Sequence, residues 1–144
     1  MIDFAIWTAR LLRLIIGVTF IYAGVVKALS PIRFSSDIHN YRLLPWSVAV
    51  ALAFYLPWLE IVCGLALLSS RLFRAAVALL VGLTIIFIVA SASARIRGID
   101  ISCGCFGHLS NNLSFGRHLG LNIMLLVALI ALWSSKHLRR TAPA

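Results

Sequence analysis

Cys103 and Cys105 stand two residues apart with Gly104 between them, and that spacing restricts the chemistry open to them. A disulfide between positions i and i+2 closes only where the backbone folds tightly, because the two Cα atoms must come within about 4.4–6.8 Å. Gly104 supplies the steric freedom for such a fold. The ring so formed is small and strained, which raises its reduction potential and speeds exchange with an incoming thiolate. A structural staple gains most by closing a long loop, so the pair suits a catalytic or relay disulfide. In that role one cysteine attacks, or is attacked by, a partner thiol and the other resolves the mixed disulfide.

Arg97, His108 and Arg117 surround the pair in sequence and favour the thiolate, while Asp100 opposes them. Other readings of the same residues stay open: a structural turn disulfide, inert thiols, or a metal site. Cys103, Cys105 and His108 are soft and borderline ligands suited to zinc or Cu(I). The loop offers no fourth ligand, and zinc sites usually space their cysteines by two residues, so no metal is expected.

Two more residues stand out inside an apolar run. Glu60 is ionisable in a segment otherwise without charge from Leu43 to Ser70, apart from this one acid, and such a group in hydrocarbon marks a cavity, a partner or a proton path. Lys27 is its candidate partner, placed near the outer leaflet if Pro57 marks the outer third of the helix; the pair then either serves function or fixes helix register. Cys63 follows Glu60 by three residues, on the same helix face, and reads as a small packing residue. Pro57 reads as a kink.

These residues need a scaffold, and composition defines its solvent. Of 144 residues 62% are hydrophobic and 12% charged, far from the average of globular proteins, so the surrounding medium is the lipid bilayer. The net charge of +9 could suggest nucleic acid, but almost every base ends an apolar run, where it meets headgroups or sets topology. No nucleic acid is expected. The expected fold is an all-α membrane protein in one integral membrane domain over 1–144. It is a four-transmembrane-helix bundle with spans at about 11–30, 46–69, 73–95 and 117–136, each near the roughly 20 residues a bilayer requires. Arg10 and Arg13 before the first apolar run resemble a signal peptide, but Lys27 stands where a small-residue cleavage site belongs, so the run is expected to stay as span one.

The connections differ in kind. SSRLFR between spans two and three is short, which makes those helices antiparallel neighbours. SPIRFSSDIHNYRLLPW, residues 30–46, places Phe34, Ile38, Tyr41 and Leu44 at helical spacing, which predicts a short interfacial helix between spans 1 and 2 with its aromatic residues toward the lipid. The CGC loop, 96–116, is rich in Gly, Ser and Asn and has room for a site. With four spans, seven bases fall on the side of the termini and six on the side of the loop, so the positive-inside rule favours cytoplasmic termini by a narrow margin. The cysteines favour the same orientation, because a paired thiol is more easily kept oxidised outside the reducing cytosol.

YAGVVK, then YRLLP, then LPWLE with a following Gly, then ISCGCFG, together resemble the MauE methylamine-utilisation proteins within the broader DoxX-like membrane group. CGCFG is the most specific piece of the match, which extends over nearly the whole chain. The resemblance implies a membrane protein of the bacterial inner membrane. It would work with a periplasmic thioredoxin-like protein, or client thiols, in forming or processing disulfides. Carried over, Cys103 and Cys105 would be the redox pair, with Gly104, Phe106, Gly107 and His108 as supporting neighbours and Lys27, Tyr41, Pro57 and Glu60 at motif positions of undefined role. Arg97 and Cys63 complete the supporting set read from the residues.

The leading expectation is therefore a membrane thiol-disulfide oxidoreductase. Cys63 alone cannot make a second pair across the bilayer, so electrons would pass to a soluble partner on the same side or to a quinone held by Phe20, Tyr22, Tyr55 or Trp58. The contrasting expectations are a non-enzymatic assembly factor with a structural disulfide, and a transporter or metal-handling protein.

Overall fold

The computed structural model describes residues 2–69, 72–99 and 115–141. Among these the chain forms five α-helices: α1 Ile2–Leu29, α2 Pro31–Asn40, α3 Trp46–Ser69, α4 Phe73–Ile96 and α5 Phe115–Thr141. Three of them contain stretches long and apolar enough to cross a membrane, Trp7–Leu29, Trp46–Ser69 and Phe73–Ile96, while the apolar stretch of α5, Leu119–Ser134, is shorter. The protein is an all-α membrane protein. Its outward faces carry exposed Leu11, Val18, Phe54, Trp58, Ile86, Val89 and Val127, side chains that only a lipid solvent leaves at no cost.

The closest helix pairing is α1 against α3, and glycine makes it possible. A Cβ on Gly24 would lie 2.7 Å from the Pro57 carbonyl oxygen, and one on Gly64 would lie 2.9 Å from the Gly17 carbonyl oxygen. Hydrophobic attraction between helices is weak in lipid, so such small-residue contacts supply the van der Waals packing that holds membrane helices together. They also fix the register. Gly17 faces Gly64 and Leu68, and Gly24 faces Pro57 and Ile61, so the two helices are antiparallel and α1 ends opposite the middle of α3. Arg13 reaches across and donates from Nη2 to the Leu68 carbonyl at 3.1 Å, satisfying an acceptor in the last turn of α3 that has no partner within the helix.

The first half of α3, left uncovered by α1, is covered by α2. Ser30 precedes the helix and Pro31 opens it, a position where the missing N–H costs nothing. Phe34 and Ile38 then bury against Ala49 and Ala53 of α3, with Phe87 of α4 beside them. Tyr41 is buried too, its hydroxyl 3.5 Å from Ser91 Oγ on α4. The apolar face expected to meet lipid thus meets protein, because the small side chains of Ala49 and Ala53 leave a groove that two large residues fill. Arg42, at a φ of +50°, turns the chain back into α3.

The remaining core joins α1, α3, α4 and α5 through Ile16, Phe20, Leu67, Val77, Leu80, Leu129 and Leu132.

Candidate functional site

Lys27 and Glu60 occupy the interior of this bundle. The Lys27 ammonium donates to both carboxylate oxygens of Glu60, at 2.6 and 2.8 Å, and both side chains are almost fully buried. Charge in a medium of low dielectric is tolerated only when paired and hydrogen-bonded in this way. Two aromatic faces complete the enclosure: the ammonium lies 5.3 Å from the ring centre of Phe34 on α2 and 5.1 Å from that of Phe87 on α4, within the range of cation–π attraction. Four helices therefore contribute to one charged centre.

α4 and α5 also contribute to its surroundings. Lys27 and Glu60 share a cavity with Thr84, Phe87 and Asn122, and Thr84 is the twelfth residue of the 24-residue α4. Glycine contacts set the register that pairs Lys27 with Glu60, since they place the last turns of α1 against Pro57.

Cys63 is buried among Phe20, Leu67 and Leu80 and is a free thiol, one helical turn from Glu60 and on the apolar side of it. Its surroundings are those of a packing residue. Among the aromatic residues considered for a quinone, Phe20 is buried and lines the cavity beside the ion pair, whereas Tyr22, Tyr55 and Trp58 face outward.

Arg97, just after α4, is engaged with backbone. Its Nη2 donates to the Tyr41 carbonyl, its Nη1 to the Arg42 carbonyl at 3.3 Å, and its Nε to the Ser93 carbonyl at 3.3 Å. The guanidinium fork clasps the end of α2 and ties it to the root of the CGC loop. Cys103, Gly104, Cys105, Phe106, Gly107 and His108 lie outside the described residues. Among the described residues no group of three or more His, Cys, Asp or Glu side chains could hold a metal ion.

Sequence reasoning did not single out Phe34 or Phe87 as partners of Lys27, nor the buried Asn122. Asn122 carried a legible signal, being a strongly polar side chain within an apolar stretch. The aromatic pair did not, because each phenylalanine is one of many.

Comparison with known proteins follows the same outline. A family model described as methylamine utilisation protein MauE matches residues 5–135. The methylamine utilization protein MauE of Methylophilus methylotrophus is 35% identical over 94 residues, which are 64% of this chain and 49% of that protein. The match thus extends over about half the length of that curated relative. No solved structure matches the chain. With the family model spanning the ion pair, the α2 cover and the Cys-Gly-Cys loop together, the chain belongs to the MauE family.

Proposed function

We propose that this chain is a membrane thiol-disulfide oxidoreductase acting on the periplasmic side of the bacterial inner membrane, in the methylamine utilisation for which its family is described. The observation that carries this reading is the Cys103-Gly104-Cys105 sequence inside the matched stretch 5–135, on the connection between α4 and α5. Oxidation of the two thiols releases two electrons and two protons as the sulfur–sulfur bond forms. A thioredoxin-like protein or client dithiol takes part by exchange: its first thiolate attacks one sulfur of the Cys103–Cys105 disulfide, and its second thiolate attacks the mixed disulfide, so that the partner leaves oxidised and both cysteines of this chain leave reduced. Electrons leave to a disulfide on such a partner, which becomes a dithiol, or to a quinone, which takes up two protons and becomes a quinol.

The accompanying topology has four spans, α1, α3, α4 and α5, with α2 at the outer interface and both termini in the cytoplasm. The 27 residues of α5 reach about 40 Å at 1.5 Å per residue, beyond the roughly 30 Å of the hydrocarbon core. In this arrangement the Arg97 clasp holds the loop root against α2, on the side where the partner docks.

The test is alkylation of the protein in native membranes, with and without reductant, read by mass spectrometry and followed by titration against a glutathione series. A Cys103–Cys105 disulfide that opens and closes reversibly, with loss of partner oxidation in the Cys103→Ser/Cys105→Ser variant, is the expected result. Thiols that stay reduced and hold stoichiometric metal would overturn the reading, and unimpaired function of the double variant would leave an assembly role in its place.

A further inference from the structure

Beside the Lys27–Glu60 pair lies a cavity of about 30 Å³ lined by Thr19, Phe20, Lys27, Glu60, Thr84 and Asn122, with apolar side chains between them. Its polar groups are not used up by one another. Asn122 is 7% exposed, and its amide, two donors and an acceptor, has no hydrogen-bond partner among the described residues. Buried amides without partners are rare in folded proteins, where protein groups or ordered water satisfy them. Glu60 accepts one hydrogen bond on each oxygen from Lys27, which leaves lone pairs on both. Thr84 and Thr19 donate their hydroxyl protons to the Leu80 and Ile15 carbonyls, at 2.7 and 2.8 Å, and keep their oxygen lone pairs.

We propose that this cavity is a water-binding site within the bundle, in which water bridges the Asn122 amide to the Glu60 carboxylate. Size and chemistry agree on the ligand. A water needs about 10–15 Å³ of such space and 2–4 polar partners, whereas a cavity known to accept a benzene ring measures about 150 Å³, so the site takes water and excludes a quinone ring. The ligand gives Asn122 the partner that α1, α3 and α4 do not supply. It also keeps Glu60, otherwise sealed by Lys27, Phe34 and Phe87, in exchange with solvent protons. This inference is independent of the redox reading, since the site contains no cysteine.

The test is infrared difference spectroscopy of the full chain in lipid nanodiscs, on transfer from H2O to D2O and to water labelled with oxygen-18. The Glu60 carboxylate band, identified by its loss in Glu60→Gln, is expected to shift in D2O, and an internal O–H band is expected to shift with the oxygen label. Both shifts are expected to vanish in Asn122→Leu, which removes the polar partner, and in Leu125→Phe, which fills the cavity while leaving every polar group in place. Helix content by circular dichroism identifies a variant that fails to fold, and the other variant then decides. Cys103→Ser/Cys105→Ser is expected to keep both shifts, which separates this site from the thiol chemistry. A Glu60 band that ignores D2O in the wild type, or that shifts equally in the folded variants, overturns the proposal.

Discussion

Lys27 and Glu60, 33 positions apart in sequence, form a two-pronged ion pair that α1 and α3 share at the centre of the bundle. Its worth depends on both partners being present. Removing one leaves the other charged and buried, which costs about 3–5 kcal/mol in proteins where this has been measured, whereas replacing both by apolar groups of similar volume is often neutral. Lys27→Met and Glu60→Gln are each expected to lower the thermal midpoint in detergent sharply, and Lys27→Met/Glu60→Met to recover most of the loss. A double variant as unstable as the singles would show that the pair contributes more than charge balance.

The α1–α3 contact yields a prediction with an internal control. Gly24→Ala drives a methyl group into the Pro57 carbonyl, 2.7 Å away, and overpacking of this kind costs about 1–3 kcal/mol. Gly82 meets nothing within 4 Å, so Gly82→Ala, with alanine's better helix propensity of about 1 kcal/mol, is expected to leave stability unchanged or raise it. Thermal unfolding of the two variants side by side checks the order.

Arg97 is expected to resist replacement by lysine. Its three N–H donors span three carbonyls, and an ammonium lacks the planar fork that does this. Arg97→Lys and Arg97→Ala should therefore both speed amide hydrogen exchange at the end of α2 and the residues following it, relative to the middle of α3. Exchange restored to the wild-type rate by lysine would reduce the interaction to simple charge.

The aromatic enclosure of Lys27 separates from its ion pair by substitution on the other helices. Phe87→Leu keeps apolar volume and removes one ring face, a loss of about 0.5–2 kcal/mol for a cation–π contact. Phe87→Leu in the Lys27→Met background is expected to cost less than in the wild type, and a double-mutant cycle measures the difference.

Much of this arrangement is legible in the residues. Long apolar runs bounded by Arg, Lys and Pro define α3 and α4, since nothing else holds a helix of 24 residues with so little charge. Phe34, Ile38 and Tyr41 at helical spacing define α2. Lys27 and Glu60 point to each other because each is too costly to leave alone in hydrocarbon. Register and cover are not legible in the same way. The register of Lys27 against α3 follows from how far α1 slides before Gly24 meets Pro57, a three-dimensional fit that spacing does not encode. The burial of α2 follows from the small size of Ala49 and Ala53, which nothing in the spacing sets apart from the other small residues of α3. The chemistry of Cys103 and Cys105 rests on their spacing and on the family to which the chain belongs.

The shared charge centre has a consequence for how the protein is made. Lys27, in the last turn of α1, reaches the headgroups by snorkelling until its partner is made, whereas Glu60 is the fifteenth residue of the 24-residue α3, and an unpaired charge near the centre of a membrane helix costs about 2.5–3.5 kcal/mol on the insertion scale of the translocon. In isolation α3 is a weaker span than its apolar content suggests, and it gains full retention when it docks on α1 and Glu60 meets Lys27. Stable insertion of the second long helix thus depends on the first, and a lesion at Lys27 is expected to show itself as incomplete insertion of α3 before it shows as any loss of chemistry.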